Sequence, residues 1–245
     1  MPQPPKATLI RLRKALRHAA DPKKAISLKR FFKTGPGQYA EGDLFLGVVV
    51  PDQRRIAKEF SSLTRSDTLA LLQSRIHEER LTALFILAGE FKRADTRARS
   101  SIASAYLKHL KWINNWDLVD SSAPQILGEW LLSGAQGANR KLLYKLARSK
   151  NLWERRIAIL SSYAFIRAGE ADDTLRLALL LLNDEQDLIH KAVGWMLREV
   201  GKRVSRQILL GFLDEHAGTM PRTALRYAIE HLAESERRRY LAAQG

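Results

Sequence analysis

From residue 5 to residue 240, apolar residues recur at helical spacing almost without interruption. The breaks are short polar or Gly/Pro stretches, so the chain has little room for anything but packed helices. The pattern predicts helices near residues 5 to 19, 22 to 34, 51 to 62, 65 to 74, 76 to 92, 95 to 109, 114 to 133, 138 to 148, 151 to 168, 171 to 182, 187 to 201, 203 to 216 and 220 to 231. Thr34 to Pro51, TGPGQYAEGDLFLGVVVP, is the clearest exception, because Gly-Pro-Gly and EGD are turn chemistry. LFLGVVV has a strand-like composition, but a single strand in a helical chain has nothing to pair with. A packed loop is therefore expected there. Sparse Gly (14) and Pro (8) fit the same all-α class.

The helices also repeat. ERLTALFIL (79 to 87), WERRIAILS (153 to 161), LIHKAVGWML (188 to 197) and TALRYAIEHL (223 to 232) align on a basic-x-small pattern. One column then reads Thr82, Asp120, Arg156, Lys191 and Arg226, with successive members 35 to 38 residues apart. That period suits stacked helix pairs. The column two residues later, Leu84, Ser122, Ala158, Val193 and Ala228, is mostly small and apolar, as close helix stacking requires. The expected fold is an all-α, right-handed α-solenoid of HEAT-like helical repeats with a concave basic groove. No linker-like segment divides the chain, so one domain over residues 1 to 245 is expected.

Charge narrows the partner. Lys and Arg number 41 against 26 Asp and Glu, a net charge of +15 with an isoelectric point near 10.3. Such an excess attracts polyanions, nucleic acid before an anionic membrane. With no Cys, thiolate nucleophiles, disulfides and Cys-ligated zinc are excluded. The N-terminus lacks an apolar signal segment, and no uncharged apolar run approaches the roughly 20 residues of a membrane span. A soluble, unprocessed protein of the cytoplasm is expected.

If the repeat column faces a groove, that groove is largely cationic. On the helix predicted over 187 to 201, Lys191, Trp195, Arg198 and Lys202 follow i, i+4, i+7 and i+11 spacing, which puts a Trp among three cations on one face. A Trp at helical spacing is ordinarily core. Interleaving with cations instead suits a phosphate backbone with its sugar and base faces.

NNWDLVDSSAPQILGEW, Asn114 to Trp130, supplies the exception to the cationic column. Asp120 would repel a polyanion in the ground state, so binding alone gives no reason for it. Either it forms a salt bridge to Arg156 in the next repeat, or it stabilises positive charge that appears during reaction. Cleavage of an N-glycosidic bond develops oxocarbenium character on the sugar, which carboxylates stabilise. Trp116, one helical turn earlier, would present a ring face to the same cation. Pro124 cannot donate the helical hydrogen bond to the Asp120 carbonyl, so it either kinks the helix to aim Asp120 or begins the next one.

Four segments, FLGVVVPDQRRIAKEF (45 to 60), NNWDLVDSSAPQILGEW, NLWERRIAIL (151 to 160) and KAVGWMLREVG (191 to 201), together resemble the AlkD family of bacterial DNA alkylation repair glycosylases. The resemblance, with the helical spacing between the segments, covers nearly the whole chain. It implies a HEAT-like solenoid that excises positively charged N3- or N7-alkylated purines from double-stranded DNA, with no metal or organic cofactor and without flipping the lesion into a pocket. On this resemblance Asp120 is the catalytic carboxylate, Trp116 and Trp195 contact the deoxyribose, Arg156 is the groove arginine, and Arg54 and Arg198 meet the DNA backbone. Lys191, Lys202 and Arg226 complete the expected DNA-binding set, and the protein is expected to act as a monomer in the bacterial cytoplasm or nucleoid. The motif RFFKT departs from the family by placing Phe31 where a Tyr can stand.

Other chemistry has little support. His18, His77, His109, His190, His216 and His231 show no metal-binding spacing and read as ordinary surface or core, and no phosphate-binding Gly-rich motif is present. The alternative to an enzyme is a non-catalytic HEAT-like module that binds DNA or structured RNA. A protein-binding scaffold is a third reading, against which the basic surface argues.

Overall fold

Helix α5, His77–Arg93, organises the first part of the molecule. Glu78 and Glu79 lie in its first turn and Lys92 and Arg93 in its last, which matches the helix dipole at both ends. Around it pack α1 (Leu9–His18), α3 (Val50–Glu59), α4 (Arg65–Leu72), α6 (Thr96–Lys108) and α7 (Trp116–Asp120). Helix α2, Pro22–Phe31, begins with Asp21 as its cap, the carboxylate accepting the Lys23 and Lys24 amides, and with Pro at its first position. The computed structural model describes residues 7–135 and 137–243, so residues 5 and 6 of the first expected helix lie outside it.

Residues 33 to 49 form the expected packed loop. Its one sheet-like contact is an isolated parallel bridge between Leu44 and Ile76, and no strand forms among the described residues. The loop is fastened at both edges. The Asp21 amide donates to the Leu46 carbonyl, and the His77 amide donates to the Leu44 carbonyl. Gly47 is required here: its φ is +85°, and a Cβ would lie 2.0 Å from the Asp21 carbonyl oxygen.

Chain contacts divide the molecule into two compact units, Met1–Ser122 and Ala123–Gly245. The second unit starts with a π-helical turn, Pro124–Gly128, closed by the Gly128 amide donating to the Ala123 carbonyl. Pro124 therefore begins a new helical segment. The expected 114 to 133 helix is interrupted, running as α7, a turn, the π segment and α8 (Glu129–Leu132). Then follow α9 (Lys141–Ala147), α10 (Leu152–Ser161), α11 (Tyr163–Arg167), α12 (Asp172–Leu181), α13 (Asp187–Arg203), α14 (Arg206–His216), α15 (Arg222–Ala228) and α16 (Glu234–Ala242). The segment expected as one helix over 151 to 168 is two, α10 and α11, and α16 lies beyond the expected helices because its face is charged rather than apolar, with Tyr240 its one buried residue.

Helix α13 is the axis of this second unit, contacting α10, α11, α12, α14 and α15. Gly194 allows α15 to approach it: a Cβ there would sit 2.3 Å from the Ala224 carbonyl oxygen. The small-residue column behaves as close stacking demands, since Leu84, Ser122, Ala158, Val193 and Ala228 are all buried.

Candidate functional site

The first unit contains a cavity of about 430 Å³ beside α7. Its walls are mostly apolar: Phe31, Phe32, Phe45 and Trp116, with Leu28 and Val48 to Val50. Trp116 and Asp120 both line it, so the two residues separated by one helical turn in sequence do share one surface. Both are half-buried.

An aromatic stack sets the Trp116 ring. Phe32 stacks on it with centroids 5.3 Å apart and planes 18° from parallel, and Phe31 meets it edge-on at 5.8 Å. Behind Phe32 lies Phe45 (5.2 Å), which in turn stacks on the His77 imidazole (4.7 Å). Offset and edge-to-face rings of this kind add about 0.5–1.5 kcal/mol per pair beyond area burial. Phe31, 63% exposed, forms the outer lip.

The floor of the cavity is polar, with His77, Glu78 and Asp117 among its lining residues. His77 Nε2 lies 2.8 Å from Asp117 Oδ2, and His77 Nδ1 lies 3.3 Å from Asp43 Oδ2. Arg80 Nη2 donates to that same Asp43 oxygen at 2.7 Å. Burial works against a charged imidazole, but the Asp117 charge and the hydrogen bonds to both carboxylates outweigh it and raise the His77 pKa. Burial likewise opposes ionisation of Asp43, and its contacts with His77 and Arg80 overcome this and lower its pKa. Glu78 turns the other way: its carboxylate accepts the Leu46, Gly47 and Val48 amides, at 2.8 to 3.3 Å, and so holds the loop that supplies Phe45 and Val48 to Val50.

Asp120 has a second neighbour at the end of α7. Burial raises the pKa of the Tyr106 hydroxyl, and the nearby Asp120 charge raises it further, against a hydrogen bond with Ser122. Tyr106 and Ser122 oxygens are 2.9 Å apart, and the Ser122 hydroxyl donates to the Leu118 carbonyl at 2.6 Å. The Asn115 side chain accepts the Trp116 amide at the other end of the helix.

Arg54 lies on the exposed face of α3, its guanidinium 4.1 Å from the centre of the Phe85 ring. It does not line the cavity.

In the second unit, Lys191, Trp195, Arg198 and Lys202 share α13. Trp195 is half-buried and tilted against Tyr163, with centroids 6.4 Å apart. Lys191 pairs with Asp187 at 2.7 Å, and Arg198 pairs with Glu230 and Glu199. A smaller cavity of about 290 Å³ gathers Arg198 and Lys202 with Arg206 and His231, neither of which the repeat column singled out. Arg226 is exposed on α15. Arg156 is different, being 5% exposed, with its guanidinium donating to the Leu188 carbonyl.

The sequence model of the DNA alkylation repair enzyme family matches residues 12–232. The chain belongs to this family. No curated protein sequence matches it. A solved structure described as a predicted DNA alkylation repair enzyme from Enterococcus faecalis is similar in fold, with a TM-score of 0.66 at 18% identity, over 88% of this chain and 97% of that one. DNA is thereby the partner of this alkylation repair protein, and among the described residues no helix is long and apolar enough to cross a membrane.

The His77, Asp117, Asp43 and Glu78 network is the part of the cavity that sequence reasoning missed. A His and two Glu opening a helix look like a solvated, dipole-matched N-terminus. Their burial depends on the 33 to 49 loop folding over them. No local signal marks it, since Asp117 in the first turn of α7 reads equally well as an exposed carboxylate matched to the helix dipole.

Proposed function

We propose that this member of the DNA alkylation repair family is a monofunctional DNA glycosylase acting on positively charged N3- or N7-alkylated purines in double-stranded DNA. The observation that carries this reading is the placement of Trp116 and Asp120 together on one aromatic-walled cavity. The alkylated base is already cationic, so it leaves with the electrons of the C1′–N bond as a neutral purine and needs no general acid. Positive charge then develops on the deoxyribose. Asp120 stabilises that charge and orients the water that adds to C1′, while Trp116 offers a ring face to the cationic sugar. Trp195 is assigned a second sugar contact, and the base departs without being flipped into a pocket.

In the same reading the chain works as one domain, a right-handed HEAT-like solenoid with a concave basic groove, as a monomer in the bacterial cytoplasm. Arg54, Lys191, Arg198, Lys202 and Arg226 neutralise DNA phosphates, with Arg156 assigned to the groove. No metal or organic cofactor takes part.

The deciding assay is release of 7-methylguanine or 3-methyladenine from alkylated duplex DNA, compared between wild type and Asp120→Asn. Wild type is expected to release the base. Asp120→Asn is expected to lose release by about 10²-fold or more, as removal of a transition-state electrostatic contact does, while binding DNA as tightly or more tightly because a repulsive charge is gone. A wild type that binds DNA and releases nothing leaves the non-catalytic DNA- or RNA-binding module as the answer.

A further inference from the structure

Helix α7 carries both Trp116 and Asp120, yet it spans only Trp116–Asp120. Helices much shorter than about 12 residues do not hold themselves in water, so tethers outside it must fix its position. Asn115 and Ser122 cap its ends from within the same chain segment. A polar tether that reaches across the unit is Asp117, whose Oδ1 accepts the Leu118 amide at 2.8 Å while Oδ2 meets His77 Nε2 of α5, also at 2.8 Å.

His77 is itself immobilised. It is 2% exposed, faces Phe45 and Phe32 with its ring, and bridges the carboxylates of Asp117 from α7 and Asp43 from the loop. Arg80, one turn along its own helix, donates to the same Asp43 oxygen and lies 3.5 Å from His77 Nδ1. Neighbouring Glu78 is committed to the loop amides, so Asp117, Asp43 and Arg80 are the charged groups that face the imidazole. The same aromatic stack joins His77 through Phe32 to the Trp116 ring, so the imidazole reaches α7 by two routes, one ionic and one through ring contact.

We propose that His77 is a positioning residue for the Asp120 reaction: through Asp117 it holds α7 so that Trp116 and Asp120 keep their places on the cavity wall. The proposal rests on the glycosylase reading of that cavity. His77 touches no reacting atom. A doubly protonated imidazole donates to both carboxylates at once, and the charge-assisted bond to Asp117 is roughly twice as strong as a neutral one. Loss of the proton weakens the tether while leaving the DNA-binding cations untouched. Displacement of a reacting group by about 1 Å costs on the order of 10²-fold in rate.

Single-turnover base release and DNA affinity, measured from pH 5 to pH 10 on wild type, His77→Ala and His77→Gln, test this. His77→Ala is expected to lose about 10²-fold in rate while DNA affinity stays within about 3-fold of wild type. His77→Gln keeps an uncharged donor and is expected to recover about 10-fold of that loss. The wild-type rate should fall on the alkaline side, and the Gln variant should lack that limb. Because both use the same lesion, ionisation of the base itself cancels. A folded His77→Ala with wild-type turnover overturns the proposal. If His77→Ala does not fold, the limb decides: an identical alkaline limb in wild type and His77→Gln overturns the proposal, and its loss in the variant supports it.

Should wild type release no base at any pH, the glycosylase reading fails on its own. Trp116 fluorescence, isolated by difference against Trp116→Phe, then reports the tether directly. A pH-dependent change present in wild type and missing in His77→Gln upholds the positioning role, and a change common to both removes it.

Discussion

Phe32 lies flat against Trp116, with centroids 5.3 Å apart and planes 18° from parallel, and one face of the indole is thereby committed to the protein. The outer edge meets Phe31, which is largely exposed. The two phenylalanines are adjacent in sequence and opposite in consequence. Phe32→Ala empties a buried site and is expected to cost about 3–5 kcal/mol, together with a change in Trp116 fluorescence. Phe31→Ala should cost less than about 1 kcal/mol, because an exposed ring leaves little burial to lose. Urea denaturation followed by circular dichroism separates the two, and equal costs would mean that Phe32 is not the support of the indole.

Glu78 holds the 33 to 49 loop by one carboxylate that accepts three consecutive amides. Hydrogen bonds to a charged acceptor contribute about 1.5–3 kcal/mol, and buried amides left unpaired add to the loss. Glu78→Ala is therefore expected to destabilise by roughly 3 kcal/mol or more and to open residues 33 to 49 to proteolysis before the rest of the unit. Glu78→Gln retains one acceptor oxygen and should lie between. Limited proteolysis with mass mapping reads this, and cleavage starting elsewhere would contradict the loop assignment.

The buried network also fixes the direction of a pH effect on stability. The raised pKa of His77 means that its contribution is fully present below its ordinary 6.5 and is lost as pH rises through the folded value. The lowered pKa of Asp43 means that its contribution is present above the ordinary 3.8 and is lost as pH falls through the folded value. The network therefore stabilises most between these two ordinary values. Thermal melts of wild type and His77→Gln are expected to differ most in that window and to converge at alkaline pH. A gap that widens with rising pH would reverse the assigned protonation.

Much of this architecture is readable in the sequence because helical periodicity and small-residue columns are local signals. Ser122, Ala158 and Val193 are buried as their spacing implied, and the Trp116–Asp120 pair shares a surface because one helical turn separates them. Helix α16 escaped because it has almost no apolar stripe to detect. The Asp43–His77–Asp117 bridge escaped for a deeper reason: its members come from a loop and two helices, 34 and 40 residues apart from His77 in sequence, and no periodicity links them. Arg156 shows the converse limit. A repeat column reports which positions are equivalent, not whether a long side chain reaches solvent or folds back onto a carbonyl.

That contrast between cations leads to the last expectation. Arg54, Lys202 and Arg226 are exposed, whereas the Arg156 guanidinium is buried and donates to the Leu188 carbonyl. A phosphate contact releases counterions, so removing one lowers the salt dependence of DNA binding by about one unit of slope in log Kd against log salt. Arg54→Ala, Lys202→Ala and Arg226→Ala are each expected to lower that slope, with stability within about 0.5 kcal/mol of wild type because exposed positions tolerate truncation. Arg156→Ala should differ by also destabilising the protein by about 1–3 kcal/mol, because a buried guanidinium and its bond to the Leu188 carbonyl are lost. Fluorescence anisotropy on a duplex across a salt series, paired with thermal melts, distinguishes the two classes. An Arg156→Ala variant as stable as wild type would contradict the assigned bond to the Leu188 carbonyl.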